Sequence, residues 1–111
     1  MKLSVIDRII IIQSLLPEKG TIEQIKLTLS IKNKIGFLSE ELESFRIFEP
    51  YKGMLEIPDV TTEMLERNKE YDLTVQEIEI LGVFAQSCNN NGWVTASSLD
   101  TIEMLINYKS E

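Results

Sequence analysis

The sequence predicts a mostly helical α+β domain, and three observations carry that prediction. Two capping boxes, Thr21 with Gln24 and Thr74 with Glu77, each open a run of apolar residues at helical spacing. Between them, from Phe45 to Ile57, the period changes to short apolar and aromatic runs split by a turn sequence. A further helical run, with Leu99, Ile102, Leu105 and Ile106, closes the chain. The expected order is an N-terminal helical hairpin, a small antiparallel β element and two C-terminal helices packed back on the first pair. At 111 residues the chain fits one domain, 1–111, with a core that needs no disulfide or metal.

The first helix is expected over residues 4 to 16. Val5, Ile6, Ile9, Ile10, Ile12, Leu15 and Leu16 follow helical spacing, Ser4 can cap the start, and Pro17 stops it. Four consecutive β-branched isoleucines make a buried strand the competing reading, but both ends carry helix signals. Asp7 sits in the first turn, where the helix dipole favours a negative charge. A turn at Pro17-Glu18-Lys19-Gly20 leads to the second helix, whose inner face is read as Ile22, Ile25 and Leu29, broadened by Leu27 and Ile31. Gly36 closes it, and the short connection implies antiparallel packing of the two helices.

Ser39 starts a third helical segment, with Glu40 and Glu41 in its first turn. A β-hairpin is expected from Phe45–Glu49 and Met54–Ile57, turning at Pro50-Tyr51-Lys52-Gly53 and ended by Pro58. Thr61 and Thr62 can cap a helical turn through Met64 and Leu65. Lys69 to Leu73 reads as a third short strand supporting the hairpin. From Thr74 the strongest helix puts Val75, Ile78, Leu81, Ala85 and Cys88 on one face, beside Phe84, and ends at Asn89–Gly92. Trp93 and Val94 link it to a last helix capped by Thr95 or Ser97.

The order of these pieces resembles that of a group of small, uncharacterised bacteriophage proteins. The carrying residues are Leu-Leu-Pro-Glu-Lys-Gly at 15–20, Leu-Ser-Glu-Glu-Leu at 38–42 and Leu-Thr at 73–74 before a paired helical unit. Trp93 stands where that pattern would carry a smaller or charged residue. The resemblance implies a viral origin. It implies no activity and supplies no site residues.

Composition limits the chemistry. Histidine is absent, which removes the commonest general base and metal ligand and excludes Ser-His-Asp and Cys-His nucleophile systems. One cysteine, Cys88, permits no intrachain disulfide or thiolate zinc site and fits a reducing compartment. Cys88 is read as a small buried hydrophobe. Carboxylate chemistry remains open, but Glu40, Glu41, Glu43, Glu63, Glu66, Glu70 and Asp72 are spaced like solvated helix faces. Asp59, Thr61 and Glu63 alternate as in a calcium loop but lack its glycine. No Walker loop or dinucleotide fingerprint occurs, so no cofactor is expected.

The formal charge of -7 disfavours direct nucleic-acid contact and anionic membrane surfaces. It permits a basic protein partner or mimicry of nucleic-acid charge, and its plainest role is solubility. Asp7 and Arg8 interrupt the N-terminal apolar run, and no signal cleavage site or membrane-length segment follows, so the cytoplasm is the expected location; the resemblance to phage proteins implies that it is the cytoplasm of an infected bacterial host.

What remains is surface. Lys26, Lys32 and Lys34 make the second helix basic against an acidic middle third, a polarity that can orient protein docking or simply mark two solvated faces. Lys19 and the helix start at Thr21 could also meet a small anion or nucleotide. Trp93, and Tyr51 in the hairpin turn, are the aromatic candidates. Trp93 can be a hot spot, but a lid over the core between the last two helices is the favoured reading. Gly82, inside the strongest helix, marks either a close approach or a tolerated cost. The leading expectation is a non-enzymatic interaction protein, of anti-defence or inhibitor type, that binds and modulates a host or phage protein. The alternatives are a homo-oligomeric sponge for a small nucleotide signal and a virion assembly component.

Overall fold

The structure, a computed structural model, describes residues 1–51, 54–57 and 60–108, with only the backbone described for 49–51 and 54. The turn expected at 50–53 falls partly outside the described residues. The stop expected at Pro58 and the Tyr51 side chain lie outside them.

The chain starts with a short strand, β1 (Lys2–Leu3), which turns into a helix at Ser4. The Ser4 hydroxyl accepts from the Asp7 amide at 3.0 Å, and the Asp7 carboxylate accepts from the Ser4 amide at 3.0 Å, closing a capping box. Helix α1 (Val5–Ile10) then widens into a π-helical turn, Ile11–Leu15, ended by Leu16 ahead of Pro17. The predicted helix is therefore present, but its last turn is π, a rare form found mostly as single turns within helices.

The isoleucine run is explained by where α1 lies. Val5 and Ile9 pack into one apolar cluster with Ile47 and Met64, while Ile11, Leu15 and Leu16 enter the main core with Ile31, Ile35, Leu81 and Ile102. Ile9 to Ile12 are all buried or half-buried. A helix that is apolar all round is one buried on more than one side.

Helix α2 (Ile22–Ile35) carries the predicted capping box, Thr21 with Gln24. Its inner face is only partly the predicted one, with Ile31 buried as expected. Ile31 and Ile35 are fully buried and set the phase of the contact with helix α5 (Val75–Asn90); Thr28 lies on the same stripe and is buried with them. Ile22 and Leu29 point outward, 78% and 56% exposed.

Helix α3 (Ser39–Ser44) forms as expected. Phe45 caps it instead of starting a strand, and Arg46, at φ 55°, turns the chain into the hairpin β2 (Phe48–Tyr51) and β3 (Met54–Glu56). These strands pair antiparallel, Phe48 opposite Glu56 and Tyr51 opposite Met54, with a register shift between. The helical turn α4 (Thr62–Leu65) follows. The next strand, β4 (Lys69–Glu70), does not extend the hairpin. It pairs with β1, Lys2 opposite Glu70 and Leu3 opposite Lys69, so the support comes from the other end of the chain.

Thr74 and Glu77 close the expected box at the start of α5, and Leu81, Ala85 and Cys88 are buried. Val75 is exposed, and buried Glu77 takes a place on the inner side. Gly92, at φ 69°, ends the helix: its amide donates to Asn89 O at 3.1 Å and the Trp93 amide to Cys88 O at 3.0 Å, the two bonds of a Schellman cap. Thr95 and Ser98 bond each other in the link, and α6 (Leu99–Asn107) buries Thr101, Ile102 and Leu105. Neither Thr95 nor Ser97 is its N-cap; Ser98 is, without a side-chain cap bond.

Gly82 lies where α6 crosses α5. A methyl group there would meet Leu105 O at 3.5 Å, an ordinary contact. Nothing within the fold requires a glycine there, which favours the tolerated-cost reading, so Gly82→Ala should gain helix propensity without a clash. We expect it to stabilise the fold by about 1 kcal/mol, read as a higher urea midpoint at constant m-value.

Candidate functional site

Adjacent residues of α1 hold two buried ionic centres. Asp7 is 1% exposed. Arg67 clasps it with two bonds, Nε to Oδ2 at 2.7 Å and Nη2 to Oδ1 at 3.1 Å, and Thr101 Oγ1 donates to Oδ1 at 2.6 Å. Arg67 also reaches Asp100 at 3.0 Å. Burial alone would push the Asp7 carboxyl up, but Arg67, the Ser4 amide and Thr101 outweigh it and hold the group below its ordinary range.

Arg8 is 2% exposed. Its Nε donates to Ile35 O at 2.8 Å and Nη2 to Gly36 O at 2.9 Å, closing the end of α2, while both terminal nitrogens grip Glu41 at 2.7 and 3.1 Å. The guanidinium lies 4.0 Å from the Phe37 ring centre and 5.2 Å from that of Tyr71. Glu41 is held low chiefly by its bond to Arg8. It is therefore an internal anchor, and the solvated-face reading fails for it. Glu40, Glu43, Glu63, Glu66, Glu70 and Asp72 are exposed as expected.

A third centre joins α2 to α5. Glu77 Oε1 accepts from the Thr74 amide at 2.8 Å and from Lys34 Nζ at 2.5 Å. Burial pushes this carboxyl up, yet Lys34 and the Thr74 amide bring it down to about 2. Lys34 thus bonds a buried carboxylate while its own side chain stays 35% exposed, so it remains at the surface with its charge shared with Glu77. Lys26 and Lys32 are exposed on α2.

These pairs do structural work. Each buried carboxylate is ionised and already bonded to a cation, so none is poised to take a proton from a substrate near neutral pH. Among the described residues, no group of three or more His, Cys, Asp or Glu side chains could hold a metal ion, and no helix is long and apolar enough to cross a membrane.

Among the described residues, three open clefts stand out on the surface. One, of about 250 Å³, runs beside Arg8, Glu41, Glu63, Glu66, Lys69 and Tyr71. A second, of about 230 Å³, adjoins it at Phe45 and Glu63 and includes Arg46. Their charges of both signs alternate, giving neither a clear preference. The third, of about 240 Å³, is formed by Leu15, Leu16, Pro17, Phe84, Cys88 and Trp93, with Ser14 and Ser87 at its side. Lys26, Lys32 and Lys34 line none of the three.

Trp93 is 68% exposed, so it does not act as a lid over the core. The Schellman cap fixes its backbone and turns the indole outward beside the cleft. Cys88, as expected, is buried. Sequence reasoning missed Asp7 and Arg8 as anchors. The signal was present: a charged pair between Val5-Ile6 and Ile9–Ile12 sits within an apolar helix, where charges must find partners inside the fold. No family model matches the chain, nor does any curated protein or solved structure.

Proposed function

We propose that this chain is a non-catalytic interaction protein that binds and modulates another protein through the outer face of α2. The observation that carries the reading is the stripe Ile22–Lys26–Leu29. These residues are spaced to share one helix face, both apolar members are exposed, and Lys32 extends the positive charge. An apolar patch flanked by lysines suits a partner whose contact surface is apolar and locally acidic, set against the repulsion or attraction of the chain's overall charge of -7. The buried ionic groups support the non-catalytic side of the reading, because they are committed to each other. The resemblance to small bacteriophage proteins supports a phage origin, with a host or phage protein as the target and inhibition or anti-defence as its consequence.

Affinity capture from infected host lysate tests this. The expected result is a specific protein retained by the wild-type bait and lost on both Ile22→Asp/Leu29→Asp and Lys26→Glu/Lys32→Glu. Its purified activity should change on stoichiometric addition of this chain. A partner retained equally by all three baits, or none retained at micromolar bait, defeats the proposal.

A further inference from the structure

The chain is 26% charged, yet the cleft beside Trp93 has no charged lining residue. Its two walls come from the longest uncharged segments of the sequence. No Asp, Glu, Lys or Arg occurs between Arg8 and Glu18, or between Glu79 and Asp100. The first segment holds the π-helical end of α1, and the second holds the C-terminal part of α5 and the Trp93 link. The surface they form is apolar at the centre and edged by serines and asparagines, with an outward tryptophan.

We infer that this surface is a two-fold contact with a second copy of the chain, each Trp93 seating in the other's cleft. The occupant follows from charge. Two copies at -7 each repel wherever their charged faces meet. A two-fold contact sets the same patch against itself, so any charge in it faces its own kind. The Trp93 surface avoids that conflict. It also supplies both halves of a self-complementary fit, an exposed indole and an open cleft of about 240 Å³ that the same indole helps to line. Loss of charge with a central aromatic is the composition of a buried interface core, and more so of homodimers. Ser14, Ser87 and Asn89 to Asn91 offer acceptors for an indole N–H withdrawn from water. This contact is separate from the outer face of α2, and a dimer formed through it would carry that face twice.

Charge also fixes the sign of the salt response. A contact without ion pairs, formed against the mutual repulsion of acidic copies, tightens as salt screens that repulsion. One held by ion pairs would weaken.

Trp93 is the chain's only tryptophan, so its emission reports this residue alone. Sedimentation velocity and intrinsic fluorescence should be followed from about 1 µM to about 500 µM protein, in about 50 mM and about 500 mM salt. The expected result is a doubling of mass that coincides with a blue shift of the emission, both moving to lower concentration at high salt. Trp93→Ala should weaken association at least about tenfold, and so should Ser87→Glu, which places two carboxylates in the contact by symmetry. Both variants should keep the wild-type far-UV circular dichroism. A monomer throughout the range overturns the inference. So does a dimer whose Trp93 emission stays red, or one that salt dissociates.

Discussion

Replacing Arg8 with alanine is expected to lower stability by about 3–5 kcal/mol, the range for removing one partner from a buried ion pair. Four bonds are lost together, two to the α2 terminal carbonyls of Ile35 and Gly36 and two to Glu41. Those buried and part-buried acceptors lose their partner, and the stacking on Phe37 goes as well. A loss of that size is a large part of the 5–15 kcal/mol that holds a domain of this kind together. Lysine at the same position keeps the charge but not the fork, and should recover only part of the loss. Glu41→Gln should cost less than Arg8→Ala, because Arg8 keeps both carbonyls and Glu41 is nearer the surface. Urea titration near pH 7 decides it. A loss below about 1 kcal/mol for Arg8→Ala would place the bridge among surface pairs of little weight.

What could be read from the sequence was what is local. The capping boxes at Thr21 and Thr74 each span four residues, and both form. Pro17 and Gly92 mark their turns for similar short-range reasons. The face of α2 was misread because three aliphatic residues at helical spacing do not say whether a partner lies inside the chain or outside it. Ile31 and Ile35 pack on α5, more than 40 residues away in sequence, and that contact chose the phase. The pairing of β4 with β1 and the clasp of Arg67 on Asp7 are equally distant, 60 residues or more in sequence. A tryptophan between two helices suits a lid over the core, but the cap at Gly92 sets the direction in which the chain leaves α5. For the candidate surfaces, lysine placement was legible to the level of the helix. That Lys34, alone of the three exposed lysines, bonds the buried Glu77 carboxylate depends on the same α2–α5 contact.

That contact should also make the protein acid-sensitive. Glu77 is 1% exposed and is held at about 2, below its ordinary 4.5. A carboxyl whose folded value is depressed stabilises the fold above its unfolded value, and that stability is lost as pH falls toward the folded value. For Glu77 the window is from about 4.5 down to about 2, and the difference amounts to about 3 kcal/mol. Asp7 and Glu41 are shifted in the same direction and add to the same trend. Urea midpoints should therefore fall steeply below about pH 4.5. Glu77→Gln keeps an acceptor for the Thr74 amide but leaves Lys34 without its counter-charge. It should be less stable than wild type near pH 7 by up to about 3 kcal/mol, and the gap should close as pH approaches 2, where wild-type Glu77 is itself losing its charge. Lys34→Met offers an independent check, since it removes the cation that holds the carboxyl low and should move the acid transition to higher pH. Parallel acid profiles for wild type and Glu77→Gln would show that the transition belongs to other carboxylates.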